Sequence, residues 1–431
     1  MFFQKDVETM KRKDIEALQL EKLRHMVDYC YRNVPFYTKK LDEAHVTADK
    51  IKSLSDIKYI PPTTKADLRD NYPFGMFAVP MSDIVRIHAS SGTTGKPTVV
   101  GYTKKDLDMW SDCVARIAVA AGATKEDIVQ IYGMFTGALG LHCGLEKIGC
   151  AVVPNSSGNT EKALMFMRDF KTTALVATPS YALYMAETAK KLEYPMSDYH
   201  LRLGLFGSEG CTPEMRTQIE KGWGLFATDN YGMSELLGPG VSGECTERCG
   251  LHINEDHFLV EVVDPETLEP VDEGEDGELI VTPLSKEAFP LLRYRTRDIS
   301  NVIYEPCKCG RTFARMEKIK GRSDDMLKIR GVNVFPSQIE SVLVGMKNVS
   351  PHYQLIVRRE GFADTLEVQV ELSDNSLLES FGMIQDLQNS IKHNLHTVLG
   401  IQCKVSIVEP MTIERFVGKA KRVIDLRHEK D

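Results

Sequence analysis

The chain has 431 residues, of which 42% are hydrophobic and 26% charged, and its formal net charge is −8 at pH 7. This composition is typical of globular proteins, and the length exceeds what one hydrophobic core usually supports, so we expect two domains. The acidic balance argues against a nucleic-acid-binding protein, because binding to a phosphate backbone needs a basic surface.

The N-terminal segment alternates charged and apolar residues, as an amphipathic helix does, and it has no feature of a signal peptide. No apolar run approaches the roughly 18 residues of a membrane span. We therefore expect a cytoplasmic protein without a membrane association. The 10 cysteines do not suggest a disulfide framework in so long a chain, and clustered cysteines in a reducing compartment are more often metal ligands.

Residues 1 to about 80 are predicted to form helices and loops, and a stretch rich in glycine and hydroxyl groups follows at 90–98. Glycines let backbone N–H groups approach an anion, hydroxyls add donors and a lysine adds positive charge, so a phosphate-binding loop is predicted. The P-loop of NTPases is excluded, since Ser90 replaces its first glycine and Pro97 follows the lysine. An ordinary polar hairpin loop is the alternative. The candidate residues are Ser91, Gly92, Thr93, Thr94, Gly95 and Lys96.

Strands then alternate with helices. A helix is predicted to begin after Thr103, with Asp106 in a capping box, and to end at Gly122. Strands are predicted over 127–133, 151–154, 174–178, 203–207 and up to 230, and further helices up to 148, over 160–170 and 181–192, and from Pro213 to Gly222. This alternation predicts a parallel sheet, whose ligands bind at the carboxyl ends of the strands. Residues 207–210 and 231–235 are therefore predicted to lie at the site.

From about residue 255 short strands predict an antiparallel β subdomain, at 257–264, 277–283 and 299–304, with the charged cluster 294–298 just before the last of them. After 321–325 the pattern predicts a small α+β domain, with a helix at 336–346, strands at 353–359 and 365–372, a helix at 376–399 and a strand at 402–408. The predicted domains are therefore 1–321, with the β subdomain at about 240–320, and 322–431. The basic stretch 416–422, taken alone, is predicted to be a solvated tail.

Five motifs, in this order, resemble those of the adenylate-forming enzymes: 90–98, Tyr231–Glu235, Tyr294–Asp298, Gly321–Asp325 and Gly418-Lys419. Within that superfamily the chain resembles the phenylacetate–CoA ligases at Val34–Tyr37, Asp70–Gly75, Leu251–Ile253 and Arg330–Pro336. The resemblance implies an α/β fold with a large N-terminal domain of mostly parallel sheets and a small, mobile C-terminal domain. It also implies that an aryl or arylacetic acid is joined to coenzyme A through an acyl-adenylate, with release of AMP and pyrophosphate.

Two alternatives remain at this stage: an enzyme that passes the acyl group to an acceptor other than CoA, and a non-catalytic homologue that binds nucleotide. The resemblance suggests a homodimer. It assigns the β- and γ-phosphates of ATP to the stretch 90–98, Mg²⁺ to Glu235, both ribose hydroxyls to Asp298, and the adenine to Ser208, Glu209 and Tyr231. The further nucleotide-binding candidates are Asn230, Gly232, Met233, Ser234 and Arg322.

The small domain would supply different groups to the two half-reactions. The resemblance implies that Lys419 bridges the α-phosphate and the acid carboxylate, with Lys421 as a weaker alternative. Rotation about a hinge at Asp324 would then bring Lys328, Arg330 and Gly331 to the pantetheine thiol of CoA.

The acid is predicted to bind after the strand that ends near residue 133. The candidates are Tyr132, Phe135, Gly137 and Gly207, because the glycines leave room for a flat ring beside the aromatic side chains. The alternative is that these aromatic residues belong to the core.

A cluster of cysteine and histidine predicts a zinc site. Cys245, Cys249 and His252 lie within eight residues, and Cys307 and Cys309 follow about 55 residues later. Two ligand pairs on separate turns suit a closed tetrahedral site with a structural role. The resemblance favours Cys245, His252, Cys307 and Cys309 over a set that includes Cys249. Free cysteines near a turn are the alternative.

Overall fold

The computed structural model describes residues 1–89, 97–133, 135–155, 159–323, 327–329, 332–344, 346–360, 363–375, 381–414 and 422–427. The chain forms two compact units. The first unit comprises 1–177, 195–208 and 226–319, and the second comprises 178–194, 209–225 and 320–431. Within the described ranges, each helix is either too short or too polar to cross a lipid bilayer.

The described helices are α1 Lys5–Glu8, α2 Arg12–Asn33, α3 Pro35–Glu43, α4 Lys65–Asp70, α5 Lys104–Ala121, α6 Phe135–Ile148, α7 Thr160–Asp169, α8 Pro179–Lys191, α9 Pro213–Trp223, α10 Pro336–Leu343 and α11 Phe381–Leu399. The described strands are β1 Arg86–Ala89, β2 Val99–Tyr102, β3 Ile128–Tyr132, β4 Ala151–Asn155, β5 Ala174–Ala177, β6 Leu203–Gly207, β7 Phe226–Met233, β8 Gly238–Glu244, β9 Leu251–Ile253, β10 Phe258–Val263, β11 Gly277–Pro283, β12 Tyr294–Ser300, β13 Val302–Ile303, β14 Arg315–Met316, β15 Gly321–Arg322, β16 Leu327–Ile329, β17 Val332–Val334, β18 Val349–Glu360, β19 Ala363–Leu372, β20 Lys404–Val408 and β21 Val423–Asp425.

A mixed sheet organises the first unit. Its strand order is β13-β14-β9-β8-β7-β6-β5-β3-β4. Neighbouring strands from β4 to β7 are parallel, whereas β8, β9, β14 and β13 continue the sheet in antiparallel fashion. The predicted parallel α/β sheet is therefore confirmed, and the same sheet carries the antiparallel strands next to it.

Helix α5 shows how the sequence determines where a helix of this unit begins and ends. Thr103 and Asp106 form the predicted capping box, and the helix ends before Gly122. Its buried face includes Trp110, which stacks on Tyr102 with ring centroids 5.3 Å apart. Arg116 of the same helix forms a bidentate ion pair with buried Asp256. Its two terminal guanidinium nitrogens donate to the two carboxylate oxygens at 2.7 and 3.0 Å. Burial of each large apolar side chain here contributes about 1.5–3 kcal/mol.

A second sheet of the first unit corrects one prediction. Strands β10, β11 and β12 pair in antiparallel order, and β12 runs through the charged cluster that was expected to precede a strand. Along β12 the residues alternate between buried and half-buried, with Tyr294, Thr296 and Asp298 on the buried face. The charged residues concealed this alternation in the sequence. Arg295 and Arg297 lie on the opposite face of the strand, where both pair with Glu278.

The second unit contains an α+β fold. Its sheet has the order β20-β19-β18-β21, in which β18 and β19 are antiparallel and the outer pairs are parallel. Apolar residues of this sheet pack with α10 and α11 in one core, which includes Ile339, Leu355 and Ile391. The same unit includes α8 and α9. Helix α9 ends at Gly224, in the left-handed conformation, and the predicted terminator Gly222 lies inside the helix against Ala186.

Candidate active site and metal centre

Several predicted site residues lie at the carboxyl edge of the mixed sheet. Buried Tyr132 ends β3, Gly207 ends β6, and Asn230 to Met233 form the end of β7. Because β3, β5, β6 and β7 are parallel neighbours, these ends lie along one edge. Ligands bind at this edge in open α/β sheets.

Close packing fixes the neighbouring ends of strands β6 and β7. Gly207 pairs with Asn230, and a Cβ at Gly207 would lie 2.6 Å from the Asn230 carbonyl oxygen, so a side chain does not fit. The Asn230 amide donates to the Phe206 carbonyl at 2.6 Å. The next residue, Ser208, is exposed and left-handed, with φ +71°. Such a conformation costs a non-glycine residue free energy and is common at functional sites.

Tyr231 and Asp298 form a hydrogen-bonded pair. The Tyr231 hydroxyl donates to Asp298 Oδ2 at 2.7 Å, although 67 residues separate them in the chain. Asp298 is 6% exposed, and its backbone N–H donates to Thr296 Oγ1 at 3.0 Å. Thr296 in turn donates to the Leu279 carbonyl at 2.7 Å. The Tyr231 hydroxyl therefore orients the carboxylate, and Thr296 fixes the backbone that carries it.

Glu235 lies in the turn between β7 and β8. The residue is 4% exposed, and its carboxylate is 3.8 Å from Lys65 Nζ. Within the described ranges, hydrogen-bond donors to this carboxylate are absent. Among the described residues, Lys65 and the buried Lys286 supply positive charge near it. A buried carboxylate without hydrogen-bond donors is costly, and a hard cation would offset that cost, so the residue fits Mg²⁺.

Lys65 and Lys286 are two residues near this turn that sequence analysis missed. Lys286 is fully buried, and its Nζ donates to the Glu235 carbonyl at 2.9 Å. Burial lowers the pKa of Lys286 to about 7. No pattern in the sequence distinguishes either lysine from surface lysines, because the partner Glu235 lies more than fifty residues away from Lys286.

The second unit holds other predicted residues. Glu209 accepts a hydrogen bond from the Ser180 N–H at 2.6 Å, Arg322 is half-buried in β15, and Lys328 lies in β16. In the first unit, Phe135 begins α6, and a Cβ at Gly137 would meet no described atom within 4 Å. The predicted residues outside the described ranges are Ser91, Gly92, Thr93, Thr94, Gly95, Lys96, Asp324, Arg330, Gly331, Lys419 and Lys421.

Four predicted zinc ligands meet in the first unit. The Sγ atoms of Cys245, Cys307 and Cys309 and a ring nitrogen of His252 all lie within 4.8 Å of one another. Cys245 Sγ is 3.7 Å from Cys307 Sγ, and Cys309 Sγ is 3.4 Å from His252 Nε2. Ligands about 2.0–2.3 Å from a tetrahedral zinc are about 3.5–3.8 Å apart, so the arrangement fits Zn²⁺. These distances also exclude a disulfide, whose sulfur atoms are about 2.05 Å apart.

The turn that carries Cys307 and Cys309 is tightly built. The Gly310 N–H donates to the Cys307 carbonyl at 2.9 Å, and Gly310 has φ +90°, which favours glycine. The hydrogen bond from Cys245 lowers the pKa of Cys309, and His252 lowers it further. Cys249 is exposed and lies outside the group of four, although its Sγ is 3.3 Å from that of Cys307.

Comparison with known families finds two matches in this chain. Residues 16–283 match the family described as AMP-binding enzyme. Residues 331–427 match the family described as AMP-binding enzyme C-terminal domain.

Curated relatives match over nearly the whole chain. The phenylacetate-coenzyme A ligase of Thermus thermophilus is 47% identical over 444 residues, which cover 99% of this chain and 100% of that protein. The phenylacetate-coenzyme A ligase of Escherichia coli is 48% identical over 427 residues, covering 98% of this chain and 97% of that protein.

Solved structures of 2-hydroxyisobutyryl-CoA ligase are also similar. One, in the postadenylation state with 2-HIB-AMP, has a TM-score of 0.93 and 28% identity, and the match covers 98% of this chain and 92% of that chain. Another, with 2-HIB-AMP and CoA in the thioesterification state, has a TM-score of 0.73 and 29% identity, with 99% and 93% covered.

Proposed function

Because the chain belongs to the phenylacetate–CoA ligase family of AMP-binding enzymes, we propose that it activates phenylacetate or a close aryl or arylacetic acid and transfers the acyl group to coenzyme A. The acid carboxylate attacks the α-phosphorus of ATP, and pyrophosphate leaves. The CoA thiol then attacks the acyl carbon of the adenylate, and AMP leaves. The observation that carries this proposal is the buried, oriented Asp298 carboxylate at the carboxyl edge of the sheet, held by Tyr231.

The protein has little covalent work in this reaction, so positioning and electrostatic stabilisation supply most of the rate. Asp298 would accept hydrogen bonds from both ribose hydroxyls, and the Tyr231 ring would stack on the adenine. Glu235 would hold Mg²⁺, which would neutralise charge on the phosphates. The residues that would complete the nucleotide site are the loop 91–96, Ser208, Glu209, Asn230, Gly232, Met233, Ser234 and Arg322.

The Tyr231→Phe variant tests the assignment of the ribose site. It keeps the ring but removes the hydrogen bond to Asp298. A hydrogen bond to a charged group contributes about 1.5 kcal/mol, so we expect the KM for ATP to rise about tenfold while kcat changes less than about twofold. Steady-state pyrophosphate release at varied ATP measures both constants.

The matched control is Tyr31→Phe, which removes a tyrosine–aspartate hydrogen bond of 3.1 Å on the surface. It is expected to leave both constants unchanged. A rise in the KM for the acid, with an unchanged KM for ATP, would show that the Tyr231–Asp298 pair serves the acid site instead.

The C-terminal part would supply groups to both half-reactions. We propose a small domain at 322–431 that rotates about Asp324 and carries Lys419 into the adenylation state and Lys328, Arg330 and Gly331 into the thioester-forming state. The separate family matches over 16–283 and 331–427 support this division. Tyr132, Phe135, Gly137 and Gly207 stay the predicted acid pocket, and the open space at Gly137 supports a role there.

A structural zinc ion is the third element of the proposal. Cys245, His252, Cys307 and Cys309 would bind it, while the exposed Cys249 would not. Bound zinc would tie the end of β8, strand β9 and the turn 307–310 together. Homodimer formation and a cytoplasmic location stay predictions, and light scattering after size-exclusion chromatography would measure the oligomeric state.

The experiment that tests the main proposal is pyrophosphate release with ATP and Mg²⁺ across a panel of acids, with and without CoA. The panel contains phenylacetate, hydroxyphenylacetates, indoleacetate, benzoate and short fatty acids. We expect release with an arylacetate, and AMP with a thioester once CoA is present. Release without a thioester would point to another acceptor, and release only with fatty acids would contradict the predicted acid class.

A further inference from the structure

Lys286 has an unusual environment for a lysine. The residue is 0% exposed, and Tyr102 and Phe289 present their rings to its ammonium, with Nζ 5.2 and 5.0 Å from the ring centroids. Within the described ranges, carboxylate oxygens are absent within 4 Å of Nζ. An aliphatic side chain of similar length would fill this space at lower cost, because a buried charge without a close counter-charge is destabilising.

The Glu235 carbonyl is the hydrogen-bond acceptor that Lys286 reaches. Within the turn between β7 and β8, the N–H groups of Leu236 and Leu237 both donate to the Met233 carbonyl at 3.0 Å. Lys286, from a distant part of the chain, donates to the Glu235 carbonyl at 2.9 Å. The Tyr102 hydroxyl donates to the Leu237 carbonyl at 3.3 Å. Two side chains from other parts of the fold therefore hold this turn.

Lys286 is itself held in place. The two residues after it donate their backbone N–H groups to the Asp106 carboxylate, Glu287 at 2.7 Å and Ala288 at 3.0 Å. Asp106 is fully buried, and it also accepts from the Thr103 N–H in the capping box of α5. A continuous buried network thus runs from the start of α5, through Lys286, to Glu235.

We infer that Lys286 is a positioning residue, which fixes the turn so that the Glu235 carboxylate is presented to Mg²⁺ in one geometry. The inference rests on the proposed function, because it takes Glu235 as the residue that holds Mg²⁺. Fixed geometry matters for this ion, which demands a near-ideal octahedral arrangement of oxygen atoms. A turn released by loss of Lys286 would bind the ion more weakly although the carboxylate is still present.

The test compares two variants, Lys286→Met and Lys286→Gln. Methionine removes both the charge and the donor, whereas glutamine keeps an N–H donor. Binding of Mn²⁺, as a probe for Mg²⁺, is followed by EPR spectroscopy in the presence of α,β-methylene-ATP. We expect the Kd for Mn²⁺ to rise about tenfold in the methionine variant and about threefold in the glutamine variant, with kcat for pyrophosphate release falling in the same order. The melting temperature is measured in parallel.

The matched control is Lys22→Met, since Lys22 also donates to a backbone carbonyl, that of Asp256, at 2.6 Å. Its Kd for Mn²⁺ is expected to equal that of the unsubstituted protein. An unchanged Kd in a methionine variant that folds would overturn the inference. This holds even if its melting temperature falls, because that result would assign Lys286 to stability alone. An unsubstituted protein that binds no Mn²⁺ with the nucleotide analogue would instead overturn the magnesium assignment of the proposed function.

Discussion

The Glu235→Gln variant is expected to release pyrophosphate about 10²–10³-fold more slowly than the unsubstituted protein and to need higher Mg²⁺ concentrations. Glutamine has the same shape, so the turn between β7 and β8 keeps its packing. It lacks the negative charge, and loss of one group that stabilises the transition state electrostatically costs about this much. The buried position of Glu235, with Lys65 Nζ at 3.8 Å, leaves the ion as the main partner for that charge. Pyrophosphate release at varied Mg²⁺ measures the effect.

The control for this variant is Glu287→Gln. Glu287 is a partly exposed carboxylate with its own partners, Lys105 at 2.6 Å and Thr103 at 3.2 Å. Its exposed ion pair contributes at most about 1 kcal/mol to stability, and we expect normal kinetics. A Glu235→Gln variant with normal turnover and normal Mg²⁺ dependence would remove Glu235 from the metal site.

Local patterns in the sequence predicted the elements of the fold well. The capping box of Thr103 and Asp106 placed the start of α5, and β6 and β11 begin and end where the apolar runs predicted. These signals involve residues that lie close together in the chain, so they can be recognised in the sequence directly. The family was also readable, because its motifs are short, contiguous and spread over most of the chain.

Contacts between distant residues could not be predicted in the same way. The motif containing Asp298 was visible, but the pairing with Tyr231 arises from the way that β7 and β12 are brought together. The strand nature of β12 was missed because three of its seven residues, Arg295, Arg297 and Asp298, are charged. Lys286 was missed entirely, since a lysine becomes unusual only when burial is known. The choice between Cys245 and Cys249 likewise depends on which thiol faces inward.

Removal of the proposed zinc site is expected to have the largest effect on stability. The Cys307→Ser variant should contain less than one tenth of the zinc of the unsubstituted protein and melt about 8 °C lower or more. Loss of a structural metal belongs to the substitutions that cost more than about 4 kcal/mol, and each kcal/mol shifts the melting temperature of a large domain by about 2–4 °C. Metal analysis of protein purified without added zinc and calorimetry measure the two quantities.

The structure explains why this loss would extend beyond the turn. Arg311 follows the cysteine pair, and its Nε donates to the Glu8 carboxylate at 2.7 Å, with both side chains buried. Its guanidinium also reaches the Met1 carbonyl at 2.6 Å. When the turn 307–310 loses its metal, this buried ion pair loses its support, and the N-terminal segment is freed with it. We therefore expect α1 to become sensitive to protease in the Cys307→Ser variant.

Two cysteine variants separate a metal effect from the cost of placing serine in the interior. Cys150 is 7% exposed, close to the 6% of Cys307, but lies outside the cluster, so Cys150→Ser should keep its zinc. Cys249→Ser should also keep its zinc, because Cys249 is exposed and the other four residues suffice for a tetrahedral site. If Cys249→Ser loses the metal while Cys245→Ser retains it, the fourth ligand is Cys249. If the unsubstituted protein contains no zinc and Cys307→Ser melts at the same temperature, the cluster is a set of free cysteines.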